Sequence, residues 1–422
     1  MAVVTLIVPK VEVYFDLSAS GTGDYLTLDD PVKGKLDDAT YVLAGVIAVD
    51  ITAYCHNIQI NRGRSRQLDE INAGVATVAI RNYSGEFTPD GFIDPDTASR
   101  LFGFGNITVG RKVEISAEGQ TLFVGNIDDW NYSYSSDGTV QASFIAVDAL
   151  ANLAAMDFNA WTTTAGQTAG PRLAAVLDRP EVDYGSNRDL GTGISTLQAD
   201  AVSYGSNVLT YAQLVAKSDL GRLFANRQGV LVFRDRHSLV NPTARVAFAD
   251  DGTGAGFHGI RPAFGSELLV NRVGVDREGG TLQTVNNLAS QAKYRIRAQS
   301  TTGLLMDSDS QSLDMATFIA SVFSEPQAYI DGLTVYVDGL SESLRADVLS
   351  LDLADVVSVL WTPTGADTSP AAINYVIESV GHSTGFGAVH VVELGLSPIA
   401  QAEVLVLDDT ILGLLDSGVL AF

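Results

Sequence analysis

The sequence predicts a mainly β protein in which two β regions flank a smaller α+β region. Apolar residues alternate with polar ones in several short runs, as at Val113 and Ile115 around Glu114, which is the two-residue period of a half-buried strand. Turn residues separate these runs, and the 422-residue chain contains 40 glycines. Helical spacing of apolar residues is strongest in the middle of the chain. The length fits about three domains of roughly 150 residues.

The first part of the chain comprises an arm and a β domain. Residues 1–45 are Asp-rich and hold short apolar clusters, so we predict an N-terminal arm. A first β domain is predicted over residues 46–157. Asp137-Gly138 lies between two alternating runs and is a strong hairpin signal. The run 147–156 (VDALANLAAM) predicts a short helix that closes this domain.

A smaller α+β domain is predicted over residues 158–258. Residues 170–177 predict one helix, and residues 209–223 predict a second, because their apolar side chains recur at helical spacing. Two strands joined by a turn at 227–229 are predicted to follow the second helix.

A second β domain is predicted over residues 259–398, with residues 270–275 as one of its strands. A helix is predicted within it at Leu313–Phe323, with Ser312 as the N-cap. Residues 399–422 are again apolar and Asp-rich, so we predict a C-terminal arm.

Charge and cysteine content exclude several function classes. The formal net charge is −24, and such a surface repels both nucleic acid and anionic lipid. Cys55 is the single cysteine, which excludes an internal disulfide and a multi-cysteine metal site. No apolar run approaches the roughly 20 residues of a membrane helix, and the N-terminus lacks the basic start of a signal peptide. We therefore expect a soluble protein made in a reducing cytoplasm.

Two segments near the ends of the chain, the Leu-Asp segments, share the pattern L-x-L-D-D-x-[VI]-x-G-x-L-D. Residues 26–37 and 405–416 match without a gap and are identical at seven of twelve positions, which makes a chance match the weaker explanation. Neither segment can bury its apolar side chains alone, so we expect both to dock onto neighbouring subunits. The leucines predicted for this contact are Leu26, Leu28, Leu36, Leu405, Leu407 and Leu415.

A weaker internal similarity indicates a duplicated β domain. Residues 110–115 and 354–359 have related patterns, and each is followed by a turn and two further predicted strands. The alternative is that any two antiparallel sheets share such patterns.

The sequence shows no catalytic constellation. None of the five histidines stands in a metal-ligand spacing such as H-E-x-x-H, and no G-x-S-x-G elbow occurs. Cys55 and His56 are adjacent, so in a strand they point to opposite faces, as a core residue and a surface residue rather than a catalytic pair. Residues 307–310 have the first two acidic positions of a calcium loop and lack its glycine and closing glutamate. We predict no enzymatic activity, no cofactor and no catalytic or metal-binding residue, and calcium binding by the Asp-rich loops stays open.

Arg62, Arg64 and Arg66 form the one dense basic patch of the sequence. Strand alternation would place the three side chains on one face. One interpretation is an interface with an acidic neighbouring subunit. The alternative is a solvated face whose charges form weak surface pairs.

Several stretches of the chain carry a resemblance to a known family. They are residues 50–54, 58–69, 73–82, 85–89, 119–125, 146–150, 221–236 and 270–273. With the Leu-Asp segments, they resemble minor tail proteins of long-tailed (siphovirus-type) phages, especially phages of actinobacteria. The resemblance covers nearly the whole chain, and the stretches before residue 90 are its most specific part.

Within that family the chain is similar to the baseplate hub, the N-terminal region of tail-associated hub proteins. The resemblance implies a homotrimer in which each subunit contributes two tube-like β-sandwich or barrel domains, so that a pseudo-sixfold ring continues the tail tube. The implied partners are the distal tail protein, the tape measure protein and the central tip or fibre proteins, with DNA only in passage. The implied location is the tail tip of the virion, assembled in the host cytoplasm.

Two alternatives stay open for the function. One is the hexameric distal tail protein, against which the apparent duplication argues. The other is a tail-associated cell-wall-degrading or receptor-binding protein. Many hub proteins carry an added C-terminal lytic domain, whereas this sequence ends at Phe422, so we expect no lytic activity here.

Overall fold

The structure is a computed structural model that describes residues 6–16, 31, 46–82, 85–88, 107–134, 136, 140–239, 243–366, 371–385 and 387–399. Several sequence predictions lie outside these residues. They concern the Asp137-Gly138 turn and the leucines of the Leu-Asp segments, Leu26, Leu28, Leu36, Leu405, Leu407 and Leu415.

In the first part of the chain, the described residues form seven strands and one short helix. Their bounds are β1 (Lys10–Asp16), β2 (Val46–Asp50), β3 (Cys55–Gly63), β4 (Asn72–Arg81), β5 (Lys112–Ala117), β6 (Gln120–Tyr134), β7 (Val140–Val147) and α1 (Ala149–Ala154). The Asp148 carboxylate accepts the Leu150 N–H at 2.9 Å and so caps α1. The helix predicted at 147–156 is therefore confirmed with tighter bounds.

The middle part is a small α+β region. Its elements are β8 (Trp161–Thr162), β9 (Gln167–Thr168), α2 (Ala169–Leu177), β10 (Arg188–Leu190), β11 (Thr196–Leu197), β12 (Ala201–Val202), α3 (Val208–Ser218), β13 (Arg222–Ala225) and β14 (Leu231–Arg234). Both predicted helices are confirmed, although the second ends at Ser218. The predicted hairpin is confirmed as the antiparallel pair β13–β14.

The last part returns to strands. Its elements are β15 (Val246–Ala249), β16 (Gly259–Phe264), β17 (Arg272–Arg277), β18 (Gln283–Asn286), α4 (Leu288–Tyr294), β19 (Ala298–Leu304), α5 (Asp309–Phe323), β20 (Ala328–Tyr336), α6 (Glu342–Leu349), β21 (Val356–Leu360), β22 (Ile373–Gly385) and β23 (Val391–Pro398). Short 3-10 helices occur at Thr52–Tyr54, Arg236–Leu239 and Val337–Gly339.

The start of α5 differs from its prediction. The helix begins at Asp309, one turn before Leu313, and Ser308 rather than Ser312 is the N-cap residue. Asp309 accepts hydrogen bonds from Arg277 Nε at 2.7 Å and Thr281 Oγ1 at 2.6 Å, which hold this first turn in place. Ser312 is fully buried inside the helix.

Thirteen strands form one continuous sheet, which confirms the mainly β prediction. The order along the sheet is β16-β20-β23-β22-β3-β4-β7-β6-β5-β1-β2, with β21 beside β22 and β15 beside β21. Because β15 pairs parallel to β21, residues 246–249 belong to this sheet rather than to the α+β domain predicted for 158–258.

The sheet contains the same five-strand order twice. The first β unit is β3-β4-β7-β6-β5 and the second β unit is β16-β20-β23-β22-β21, and neighbouring strands in both are antiparallel. This repeated order agrees with the duplication that the sequence pattern indicates. The two units are joined by the antiparallel pair β3–β22, in which β3, an edge strand of the first unit, pairs with the second half of β22, beyond the part that pairs with β21.

The N-terminal arm contains part of the core. Strand β1 lies within the predicted arm 1–45 but pairs antiparallel with β5. Val11, Val13 and Phe15 are completely buried and belong to the main apolar cluster. Residues 10–16 therefore complete the first β unit, because their alternating apolar face extends its sheet.

An insertion, residues 265–327, separates β16 from β20. It folds into a three-stranded sheet, β18-β17-β19, with α5 packed against it. Its own apolar cluster includes Val273, Met315 and Ile319 and contacts Leu214 and Leu220 around the end of α3. The prediction that 270–275 is a strand is confirmed, but the strand lies outside the sheet of the second β unit.

Candidate functional site at the junction of the two β units

The junction of the two β units is the pair β3–β22 with the charged side chains around it. Seven residue pairs align the strands, from Ser379 opposite Gly63 to Gly385 opposite Asn57. Gly63 has a φ of +109°, and a Cβ there would lie 2.1 Å from the backbone oxygen of Glu378. Only glycine permits both this backbone conformation and such a close approach. The two strands are therefore held at a fixed distance and register.

Glu378, on β22, connects three parts of the molecule. Its carboxylate accepts hydrogen bonds from Arg64 Nε at 2.7 Å, Arg222 Nη2 at 3.2 Å and Ser397 Oγ at 2.7 Å. Arg64 follows β3, Arg222 lies on β13, and Ser397 lies on β23. Burial by itself raises the pKa of Glu378, but the guanidinium groups of Arg222 and Arg64 outweigh this and hold it below its ordinary value. The carboxylate is therefore ionised and paired inside the protein.

A second buried ion pair lies beside the first. Arg62 Nη1 donates to Asp352 Oδ1 at 2.6 Å, and the backbone N–H of Arg227 donates to Asp352 Oδ2 at 2.7 Å. The Arg62 side chain is 1% exposed. Arg227 Nη1 in turn donates to the backbone oxygen of Thr121 at 2.8 Å. Asp352 thus ties the first β unit and the α+β region to the loop before β21.

The structure corrects the predicted arginine surface. Arg62 and Arg64 are buried in ion pairs within the chain, so these two side chains do not form an exposed face for a neighbouring subunit. Arg66 is exposed. The physical reason is that Arg62 lies on the same face of β3 as Ile58 and Ile60, and this face is buried.

Two buried histidines lie next to each other in the second β unit, His382 on β22 and His390 just before β23. His382 Nδ1 and His390 Nε2 are 3.1 Å apart, so one ring donates a hydrogen bond to the other. Burial lowers the pKa of His390 to about 4 and that of His382 well below its ordinary value. Asp338 accepts the backbone N–H groups of His390 at 2.6 Å and Ile7 at 2.5 Å. The neutral pair therefore lies where the N-terminal segment joins the sheet.

These groups bind distant parts of the chain to one another. Each carboxylate of the junction is occupied by a guanidinium group or a backbone N–H. Cys55 and His56 are both half-buried, so neither the core position nor the surface position predicted for them is observed. Burial raises the pKa of the Cys55 thiol to about 12, which keeps it protonated. Within the described residues, no cluster of three or more His, Cys, Asp or Glu side chains could hold a metal ion, and no helix could span a membrane.

The two acidic residues at the centre of the junction were not predicted from the sequence. Glu378 and Asp352 stand in no recognisable motif, and they are about 300 residues away from their arginine partners, at separations of 314 and 290. One local signal existed for Arg62. Its phase relative to Ile58 and Ile60 predicts burial, and a buried arginine requires an acidic partner.

Strands β16 and β2 lie at the two ends of the main strand path of the described sheet, and β15 ends the branch through β21. Strand β16 pairs with β20, strand β2 pairs with β1, and neither has a second neighbour among the described residues. Phe264 at the end of β16 is 75% exposed, and Val46 at the start of β2 is 59% exposed. Open strand edges of this kind are suited to pairing with another chain.

Comparison with known proteins finds similarity in solved structures. No protein-family model and no curated protein matches the chain. A 43 kDa tail protein of prophage MuSo2 from Shewanella oneidensis has a TM-score of 0.54 and 14% identity, over 84% of this chain and 94% of that one. A tail protein from Neisseria meningitidis MC58 has a TM-score of 0.56 and 12% identity, over 93% of this chain and 97% of that one. The chain therefore has the fold of these two tail proteins.

Proposed function

We propose that this chain is a structural protein of a phage tail and serves as the hub at the tail tip. The observation that carries the proposal is the duplicated β unit inside one continuous sheet, in a fold shared with two tail proteins over nearly their full length. The sequence resemblance to minor tail proteins supports the same role. The assignment to siphovirus-type phages of actinobacteria rests on that resemblance alone, since the two structures come from Shewanella and Neisseria.

The duplication supports a homotrimer. A hexameric tube presents six equivalent positions, and three chains with two similar β units each supply the same number. The junction fixes the two units rigidly, so one chain spans two positions with a constant angle between them. The open edges β16 and β2 are the places where adjacent chains would meet.

The proposed hub joins the tail tube and distal tail protein to the central tip or fibre proteins. Its bore would hold the end of the tape measure protein and later pass DNA. The net charge of −24 suits a passage to which a phosphate backbone does not adhere. No stable DNA or membrane association belongs to this proposal.

Localisation in the virion tests the proposal. Antibodies against the chain, labelled with gold, should mark one end of the tail, and quantitative mass spectrometry should give three copies per particle. Six copies per particle would favour the distal tail protein instead. Absence from purified virions would reject a structural role altogether.

An assay for hydrolysis tests the enzymatic alternative. The purified protein should leave peptidoglycan and peptide substrates intact over hours, because the described acidic groups of the junction are paired rather than set across a cleft. Turnover that a single carboxylate substitution abolishes would contradict the structural proposal and favour a cell-wall-degrading protein.

A further inference from the structure

A surface groove of about 520 Å³ lies between the loop after β3 and the insertion. We call it the Arg66 groove. Leu68, Leu268 and Ile296 give it apolar walls, and Arg66 and Arg297 stand at its rim. Ile296 is 55% exposed although it is a large apolar side chain. Such a combination of exposed apolar and cationic side chains fits an amphipathic, acidic segment.

The described chain ends beside this groove. The backbone oxygen of Pro398 accepts a hydrogen bond from Gln67 Nε2 at 3.2 Å. Gln67 stands between Arg66 and Leu68, both of which line the groove. The seven residues from Ile399 to Leu405 make six Cα–Cα steps and can extend about 20 Å. The C-terminal Leu-Asp segment therefore starts within reach of the groove.

Charge distinguishes this surface from the rest of the molecule. Residues 265–304 contain five basic and three acidic residues, a net charge of +2, whereas the whole chain carries −24. Arg272, Arg295 and Arg297 lie close together, because the backbone of Arg272 donates to the oxygen of Arg297 at 3.1 Å and Arg295 is two residues from Arg297. Asp69 and Glu267 line the groove together with Arg66 and Arg297, so the surplus of positive charge near it comes from Arg272 and Arg295.

The two Leu-Asp segments differ in charge. Residues 405–416 contain three aspartates and no basic residue, and Glu403 precedes them. Residues 26–37 contain three aspartates but also Lys33 and Lys35. The C-terminal segment therefore complements the cationic rim better than the N-terminal one does.

We propose that the C-terminal Leu-Asp segment docks into the Arg66 groove of its own chain. Leu405 and Leu407 contact the apolar walls, and Asp408 and Asp409 face Arg66 and Arg297. Attachment beside the groove gives the segment a high effective concentration, so its own chain is favoured over a neighbouring subunit. This placement differs from the docking between subunits that the sequence pattern predicts, and it is independent of the hub function.

Hydrogen exchange of the full-length chain tests this docking. In the unaltered protein, backbone amides at 266–270 and 296–299 should be protected, equally at low and high protein concentration. The double variant Leu405→Ser, Leu407→Ser should speed their exchange at least tenfold. The double variant Arg66→Glu, Arg297→Glu should do the same, and its effect should shrink in high salt as the charges are screened.

Two controls make the test specific. Leu26→Ser with Leu28→Ser changes the matching positions of the other Leu-Asp segment, and Lys112→Glu reverses an exposed charge on β5. Both should leave exchange at the groove unchanged. The proposal is overturned by unchanged exchange in the Leu405 and Leu407 variant, or by equal loosening in the controls. Protection that is lost on dilution of the unaltered chain would also overturn it, because the segment would then come from a second copy.

Discussion

The junction and the insertion use charge in opposite ways. At the junction, the Glu378 side chain is 4% exposed and the Arg62 side chain 1% exposed, and both form short ion pairs across distant parts of the chain. In the insertion, the pair Lys293–Glu325 is 60% and 48% exposed. Removing one partner of a buried ion pair is strongly destabilising, whereas exposed ion pairs contribute little to stability. The difference indicates a junction built to fix geometry and an insertion whose surface is free for contacts.

The largest expected effect is at Glu378. Glu378→Ala leaves Arg64 and Arg222 buried without their partner, so the free energy of unfolding should fall by about 3–5 kcal/mol. The matched control is Asp189→Ala, which breaks an exposed pair with Arg234 and should lower it by less than about 1 kcal/mol. Urea unfolding measures both. Equal effects of the two substitutions would show that the buried pairs of the junction contribute no more to stability than an exposed pair does.

A smaller effect is expected at Gly63. Gly63→Ala places a Cβ against the backbone oxygen of Glu378 at a positive φ, so stability should fall by about 2–4 kcal/mol. Gly119 has a φ of +78° with open space around it. Gly119→Ala should therefore lower stability by about 1 kcal/mol, the contribution of the backbone alone. If the two variants unfold at the same urea concentration, close approach of the strands is not what requires Gly63.

Acidification should lower the free energy of unfolding, because the buried histidines at the junction are neutral in the folded chain. The pKa of His390 is lowered to about 4, so between pH 6.5 and 4 the unfolded chain binds more protons than the folded one. Stability should therefore fall on acidification, by up to about 1.4 kcal/mol per pH unit. Asp148 acts in the opposite direction, because burial raises its pKa to about 6. Urea unfolding at several pH values gives the slope of the unfolding free energy against pH. The difference in this slope between the unaltered chain and His390→Asn is the contribution of the histidine, and identical slopes would show that it contributes nothing.

The smallest effects are expected from matched substitutions in the core of the main sheet and in the core of the insertion. Ile60→Val at the junction and Ile319→Val in the insertion should each lower stability by about 0.5–1.5 kcal/mol. Hydrogen exchange should show a different distribution, with Ile60→Val speeding exchange throughout the main sheet and Ile319→Val speeding it mainly within 265–327. A global response to both would show that the insertion has no independent core.

Local features of the fold could be predicted from the sequence, and long-range ones could not. The spacing of Ala212 and Ala216 within α3 and the turn at 227–229 depend on neighbouring residues, so pattern and turn chemistry suffice. The repeated strand order was visible as similar segments on either side of the α+β region. Which strands join the two units depends on contacts such as Arg64 with Glu378, and no periodicity encodes a partner 314 residues away.

The insertion shows the same limit. Its strand at 272–277 has the alternation of any strand, so the sequence assigns it to the nearest predicted β domain. The structure separates it because Val273 and Met315 share a small core with each other rather than with the main sheet. Likewise, the sequence predicts an arm at β1, because the strand with which β1 pairs lies about 100 residues further along the chain.

Electron cryo-microscopy of the tail tip of a virion that carries this protein tests the proposed hub arrangement. We predict a ring of three copies, in which the two β units of each chain occupy successive positions of a pseudo-sixfold wall and β3 pairs with β22 within every chain. A ring of six copies, each occupying one position, would contradict it, as would two β units of one chain that do not lie side by side in the wall.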